Sequence, residues 1–304
     1  MMDSKRSITN TVIAFLIGVG VIVAYFILQI VFFGLDMIFA SIHEAGSSED
    51  MNEVSKNVLD RYYSTAVIWY FVCSLVSIVL ILLVLLLLKK FRKSNLISEF
   101  GLTPRVTLKN TATLILCVLS GMALNISLSS FISVLPLPEK WYEANAESVN
   151  SLLQGNVVFV VLSVVIMPPI VEELIFRGVF HNLLRRAIPL PEKWAIAVSG
   201  LVVSVAFGVF HGNILQGLYT CFVSFVLIYI FESTGYLLAC IFFHLGFNGS
   251  AVLEYLLGSF YNPEALVENT IIFGLIWVGL LVAAYFTSRK KSERIGTSQS
   301  VNCG

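Results

Sequence analysis

Charge is scarce in this chain. Of its 304 residues only 12% are Asp, Glu, Lys or Arg, 57% are hydrophobic, and the formal net charge is zero. With a strongly positive mean hydropathy, that balance excludes an ordinary soluble domain. There is no basic tail, no Gly-rich phosphate loop and no interleaving of basic with aromatic residues, which excludes nucleic acid as a partner. The five cysteines, at 73, 117, 221, 240 and 303, include no C-x-x-C pair. They make neither a disulfide frame nor a thiolate metal cluster, and the first four read as small core residues in apolar runs. Cys303 stands second from last in "VNCG", which is not a prenylation box. After Lys5 and Arg6 comes an apolar run of about 30 residues without a small-x-small cleavage site, read as a retained first span rather than a signal peptide.

Three hydrolytic layouts are missing as well. No H-E-x-x-H sets two zinc ligands and a base on one helix. No G-x-S-x-G forms a nucleophile elbow. Every aspartate lies at or before residue 60, which leaves no aspartyl dyad for the later spans.

What the chain does have is long apolar runs. Segments able to cross about 30 Å of hydrocarbon fall near 8–40, 65–88, 111–135, 156–180, 194–212, 214–231, 236–258 and 271–287. The expected fold is therefore an all-α polytopic membrane helical bundle of about eight transmembrane helices. Alternating the loops puts Lys5, Arg6, Lys89, Lys90, Arg92, Lys93, Arg105, Lys109, Arg185, Arg186, Lys193, Arg289, Lys290, Lys291 and Arg294 on one side, with Lys56, Arg61 and Lys140 on the other. By the positive-inside rule both termini are cytoplasmic, and the acidic segments 44–60 and 139–147 face outward. The longest loop is expected over 41–64. Polar residues are sparse in the first three spans, apart from Gln29, Asp36 and Asn125, and gather from residue 168 onward. Residues 1–150 thus read as N-terminal scaffold helices, 151–260 as the functional core, and 261–304 as a last span and cytoplasmic tail.

Against this background "IMPPIVEELIFRGVF", residues 166–180, sets two adjacent glutamates and an arginine in an apolar run. Each charge at a helix centre costs roughly 2.5–3.5 kcal/mol, so the three together ask for about 7–10 kcal/mol before any pairing. Glu173 and Arg177 stand at i and i+4 and can pair along one helix face. Glu172, about 100° around the helix, falls outside that pair. Pro168 and Pro169 remove two backbone donors and loosen the turn just before it, which lipid tolerates where the backbone is buried in protein or lines a wet cavity. A plainer reading is a charged helix end at the cytoplasmic interface, with Arg177 snorkelling. It gives Glu172 no role.

Two further polar elements follow: "FGVFH", with Phe207 and His211, and "HLGFN", with His244 and Asn248 on one helix face. Singly, each fits a packed core histidine or a polar pair that joins helices. Jointly, in a chain with four histidines, they suit a reaction. A desolvated glutamate serves as general base, imidazole shares or donates a proton, and an amide with an imidazole holds a developing oxyanion. That set fits attack of water on an amide carbonyl.

The ordered motifs E-E-x-x-x-R (Glu172, Glu173, Arg177), F-x-x-x-H (Phe207, His211) and H-x-x-x-N (His244, Asn248) resemble the CPBP family of intramembrane proteases, also called CAAX-protease, bacteriocin-processing or Abi proteins. The similarity covers about 165–255. It implies an all-helical endopeptidase whose active site lies within the bilayer. On that resemblance Glu172 activates water with help from His211, His244 and Asn248 form the oxyanion hole, and Glu173, Arg177 and Phe207 give structural support. No motif position is substituted.

The family is often labelled metalloprotease, and Glu172, His211 and His244 are the two-His, one-Glu set that a catalytic zinc would use. A metal-free mechanism uses the same residues and is favoured, because no carboxylate is evident behind either histidine; zinc stays possible. Counted along straight spans, Glu172 and His244 fall in the inner half and His211 near the outer end of 194–212. Either the 181–193 connection dips into the bilayer or the helices are short, tilted or broken at the prolines.

Two other classes stay open: a transporter or channel, which would also use charged pairs and a broken helix, and a non-enzymatic membrane scaffold or immunity protein. No matching broken helix is found in the first half. Asp36 and Glu254 are expected to pair locally or face an interface, and His181 to sit near the cytoplasmic boundary. Glu232 should lie in a turn that Gly235 permits, and Arg185 with Arg186 should anchor to lipid headgroups. The expected partners are the bilayer and a membrane-embedded or lipid-associated peptide or protein substrate: a CAAX-type protein, a bacteriocin or a signal peptide. The expected place is a bacterial plasma membrane.

Overall fold

The computed structural model describes residues 7–44, 50–92, 108–153 and 156–289. Lys5, Arg6, Lys93, Arg105, Lys290, Lys291, Arg294 and Cys303 lie outside the described residues. Among the described residues every regular element is helical, and eight helices are long and apolar enough to span a membrane. The protein is an all-α, polytopic integral membrane protein, as its hydropathy requires. It divides into two compact units, 1–94 with 138–199 and 95–137 with 200–304.

The first unit contains α1 (Ile8–Glu44), α2 (Met51–Arg92), α4 (Glu139–Leu153) and α5 (Val157–Ala187). With 37 residues, α1 is about 55 Å long and outruns a hydrocarbon layer of about 30 Å. The long loop expected over 41–64 is thus mostly helix. One physical reason is Asp50, whose Oδ1 accepts from the Asn52 amide at 2.9 Å and satisfies an orphan donor at the start of α2. Below that point Asp36, buried on α1, accepts from Thr65 Oγ1 of α2 at 2.8 Å. The acidic segment 139–147 is the first part of helix α4.

Helices α1 and α2 divide the length of α5 between them. The C-terminal part of α5 packs on α1, where the ring of Phe180 fills the space a side chain at Gly18 would need and lies 5.9 Å from Phe15. Thr11 Oγ1 also donates to Ala187 O at 2.9 Å. The N-terminal part packs on α2, where Ser163 Oγ donates to Val67 O and Phe71 meets Phe159 edge-on at 6.2 Å.

The second unit is built on α3 (Leu108–Ser133), which packs along both α8 (Leu237–Leu257) and α9 (Leu266–Arg289). Both contacts depend on small or hydroxylated residues. Gly121 of α3 lies against the backbone of Phe243, and Gly246 of α8 against that of Val118, so close that a Cβ at either would collide. Toward α9, Ser127 Oγ donates to Thr270 O at 2.8 Å and Thr113 meets Thr287 at 2.9 Å.

Helix α6 (Glu192–Phe210) passes from the first unit into the second after Ser199. Helix α7 (Ile214–Thr234) starts at Asn213, whose side chain caps the Gln216 amide at 2.8 Å. It stops at Gly235, whose φ of 70° lies in the left-handed region that ends helices, so Glu232 sits in the last turn before the reversal.

Candidate active site

The charged motif is carried by α5, and the double proline does not break that helix. From Val161 to Ile166 it widens to π-type hydrogen bonding, the Met167 amide reaching back five residues to Leu162 O. Pro168 and Pro169 then occupy the first positions of a regular stretch, Met167–Glu173, where their missing donors are tolerated. A second π-type stretch, Leu174–His181, follows at once. Such widened turns sit mostly at functional sites, and here they bracket Glu172 and Glu173 in one continuous helix.

All three charges are inside protein. Arg177 Nη1 donates to Glu173 Oε1 at 3.0 Å, with both side chains completely covered. Snorkelling is therefore wrong for Arg177: its guanidinium is enclosed and spends its hydrogen bond on the carboxylate one turn earlier. Glu172 is buried at 7% exposure. The sequence reading left it beside the ion pair with no neighbour named. In the folded unit Tyr25 of α1 lies within electrostatic reach of it, and Tyr25 is itself hydrogen-bonded to Ser74 and Gln29. One turn beyond Arg177, His181 is also fully buried, its Nδ1 3.2 Å from Ser199 Oγ.

The other two motifs meet inside the second unit. His211 lies just past the end of α6 and folds back on it, Nδ1 donating to Phe207 O at 2.8 Å. A carbonyl only accepts, so in the neutral ring this bond puts the proton on Nδ1 and the lone pair on Nε2. The ring of Phe207, fully buried, lies 4.8 Å from that of His211 and meets the ring of His244 edge-on at 6.0 Å. Phe207 is thus the wall shared by both imidazoles. His211, expected near the outer end of its span, shares the Phe207 ring with His244. Asn248 follows His244 by one turn on α8, half-buried. The backbone contacts of Gly121 and Gly246, at Phe243, Gly246 and Phe247, lie on either side of His244 along the helix.

The site residues are therefore assembled as two constellations. Glu172, Glu173 and Arg177 belong to the first unit, and Phe207, His211, His244 and Asn248 to the second. Among the described residues no three His, Cys, Asp or Glu side chains are grouped as a metal ligand set.

Buried carboxylates, an enclosed ion pair and two imidazoles against one ring lie in the helices of an integral membrane protein, where such groups are rare and costly. A family model described as Rce1-like, the type II CAAX prenyl endopeptidase Rce1-like family, matches residues 154–250. The match covers about a third of the chain and takes in all three motifs. No curated protein and no solved structure matches the chain.

Proposed function

We propose that the protein is an intramembrane endopeptidase in which Glu172, assisted by His211, activates a water molecule, while His244 and Asn248 hold the oxyanion of the tetrahedral intermediate. The observation that carries this reading is the shared wall at Phe207. It holds two imidazoles in one unit, one with its Nε2 lone pair defined by the bond from Nδ1 to Phe207 O. A fixed lone pair is what a proton-sharing group needs. The imidazole and amide of His244 and Asn248, one helix turn apart, suit an oxygen on which charge develops. Glu173 and Arg177 support the helix: they neutralise each other at the point where a second free carboxylate would compete with Glu172 for protons. The substrate class is a membrane-associated peptide or protein, a CAAX-type chain, a bacteriocin or a signal peptide. The excess of Lys and Arg on alternate loops supports cytoplasmic termini, and a bacterial plasma membrane is the setting proposed.

The test is cleavage of a panel of quenched fluorescent peptides, with and without a farnesylated C-terminal CAAX box. The proteins are purified wild type, Glu172→Gln and His244→Ala, each with a strong chelator and with added zinc. Cleavage by wild type that survives chelation and is lost in both variants is expected. Activity in Glu172→Gln equal to wild type would refute glutamate as the base. Loss on chelation with recovery on zinc would replace the metal-free mechanism by a zinc-dependent one.

A further inference from the structure

The turn between α5 and α6 sets cations beside exposed apolar side chains. The candidate spans on either side end at Ala187 and resume at Glu192, so residues 188–191 and their flanks lie at the edge of the hydrocarbon. Arg185 and Arg186 close α5, and Lys193 stands in the first turn of α6. Glu192 is the acidic residue among them, which leaves the turn positive. Leu190 is 41% exposed and Trp194 56%, with Lys193 Nζ 5.6 Å from the Trp194 ring centre. The backbone here is well tied. Pro191 O accepts from the amides of Trp194 at 2.9 Å and Ala195 at 3.0 Å, and Ala187 O accepts from Thr11 Oγ1 at 2.9 Å, which joins the turn to the start of α1.

A plainer role covers part of this. Arg185 and Arg186 complement the negative end of the α5 dipole, as cations at a helix C-terminus do. Lys193 stands at the positive end of α6, where a cation is disfavoured, so its charge is not explained by its own helix. An indole at the membrane boundary puts its apolar body among acyl chains and its N–H among headgroups. The cations beside it then lie at the level of the lipid phosphates, with their stems along the apolar surface.

We propose that Arg185, Arg186 and Lys193 form a site for the phosphate of an anionic phospholipid headgroup, with Trp194 and Leu190 resting on the upper part of its acyl chains. A zwitterionic lipid carries an ammonium that the same cations repel, and a free phosphate has no chains for the apolar pair. The site lies wholly in the first unit and stands whether or not Glu172 is a base. Arg177 precedes Arg185 on α5 by about two turns, so a lipid held here fixes the depth of the charged motif in the bilayer.

The experiment places the purified full-length protein in phosphatidylcholine nanodiscs with increasing fractions of phosphatidylglycerol brominated high on its acyl chains. Bromine quenches a tryptophan that it touches, and the Trp194 signal is the part of the emission lost in Trp194→Phe. In wild type that signal should be half quenched at a phosphatidylglycerol fraction several-fold below the fraction of brominated phosphatidylcholine that does the same. The double variant Arg186→Gln, Lys193→Gln, with both positions exposed, should melt as wild type does and need about five times as much phosphatidylglycerol or more. Glu192→Gln should need less. Equal quenching by the two lipids in wild type, or an unchanged half-point in the double variant, overturns the site. Inorganic phosphate that restores the emission at matched ionic strength would assign the cations to a free anion and overturn the lipid reading.

Discussion

The two units hold their polar groups by opposite means. In the first, charge is balanced by charge inside one helix: Glu173 and Arg177 are completely enclosed and bonded at 3.0 Å. In the second, the polar groups are imidazoles and an amide, and what sets them is backbone proximity, with Gly121 and Gly246 letting α3 and α8 touch at Phe243, Gly246 and Phe247, on either side of His244. The difference follows from what each group does when its partner is removed. A buried charge left alone carries its full desolvation penalty, which the bond between Glu173 and Arg177 offsets for that pair. A neutral imidazole costs far less to bury and can be placed by packing alone.

The sharpest way to break this contrast is to remove half of the ion pair. Arg177→Ala should destabilise the protein by about 3–5 kcal/mol, because Glu173 is left as an uncompensated buried charge. The neutral double variant Glu173→Gln, Arg177→Met should be more stable than Arg177→Ala alone. Thermal unfolding in detergent decides it: equal losses in the two would mean that packing, not charge, holds the first unit.

The matching change in the second unit is Gly246→Ala, which drives a methyl into Val118 O and should cost about 1–3 kcal/mol through overpacking. The proposed endopeptidase activity should fall with it as His244 and Asn248 shift. Gly20→Ala, where nothing lies within 4 Å, is the control and should be neutral or slightly stabilising. A tolerated Gly246→Ala would show that α3 and α8 do not depend on close approach.

Smaller effects test the edges of the second unit. Asn213→Ala removes the cap on the Gln216 amide and should cost about 1 kcal/mol, read as a lower melting temperature. In the α8–α9 connection, burial and then the bonds to Glu254 push the Tyr261 phenol up to about 12 from its ordinary 10. A raised folded value means its contribution is complete below pH 10 and is lost as pH rises through about 12. Absorbance titration should show one tyrosine of the wild type in that window missing in Tyr261→Phe. Because the residue is only partly buried, the accompanying stability change should be small.

Much of this was legible in one dimension. Eight spans follow from apolar runs matched to bilayer thickness, since hydrocarbon admits little else. The Glu173–Arg177 bond follows from helical period, and the pairing of His244 with Asn248 on one face from the same i, i+4 spacing. The start of α2 at Asp50 was hidden by the acidity of 44–60, which looked like a solvated loop, although an aspartate before a helix is also a cap.

By itself, then, the sequence determined the all-α membrane class of the protein, the number of its candidate spans and the side chains of the proposed site, because each depends on composition or on spacing within one helix. Only the tertiary structure decided that α5 stays continuous through Pro168 and Pro169 by widening its turns, that Phe207 is shared between His211 and His244, and that Tyr25 lies within reach of Glu172. Those facts depend on which helices pack together, and contacts between residues far apart in sequence leave no periodic trace in a single chain.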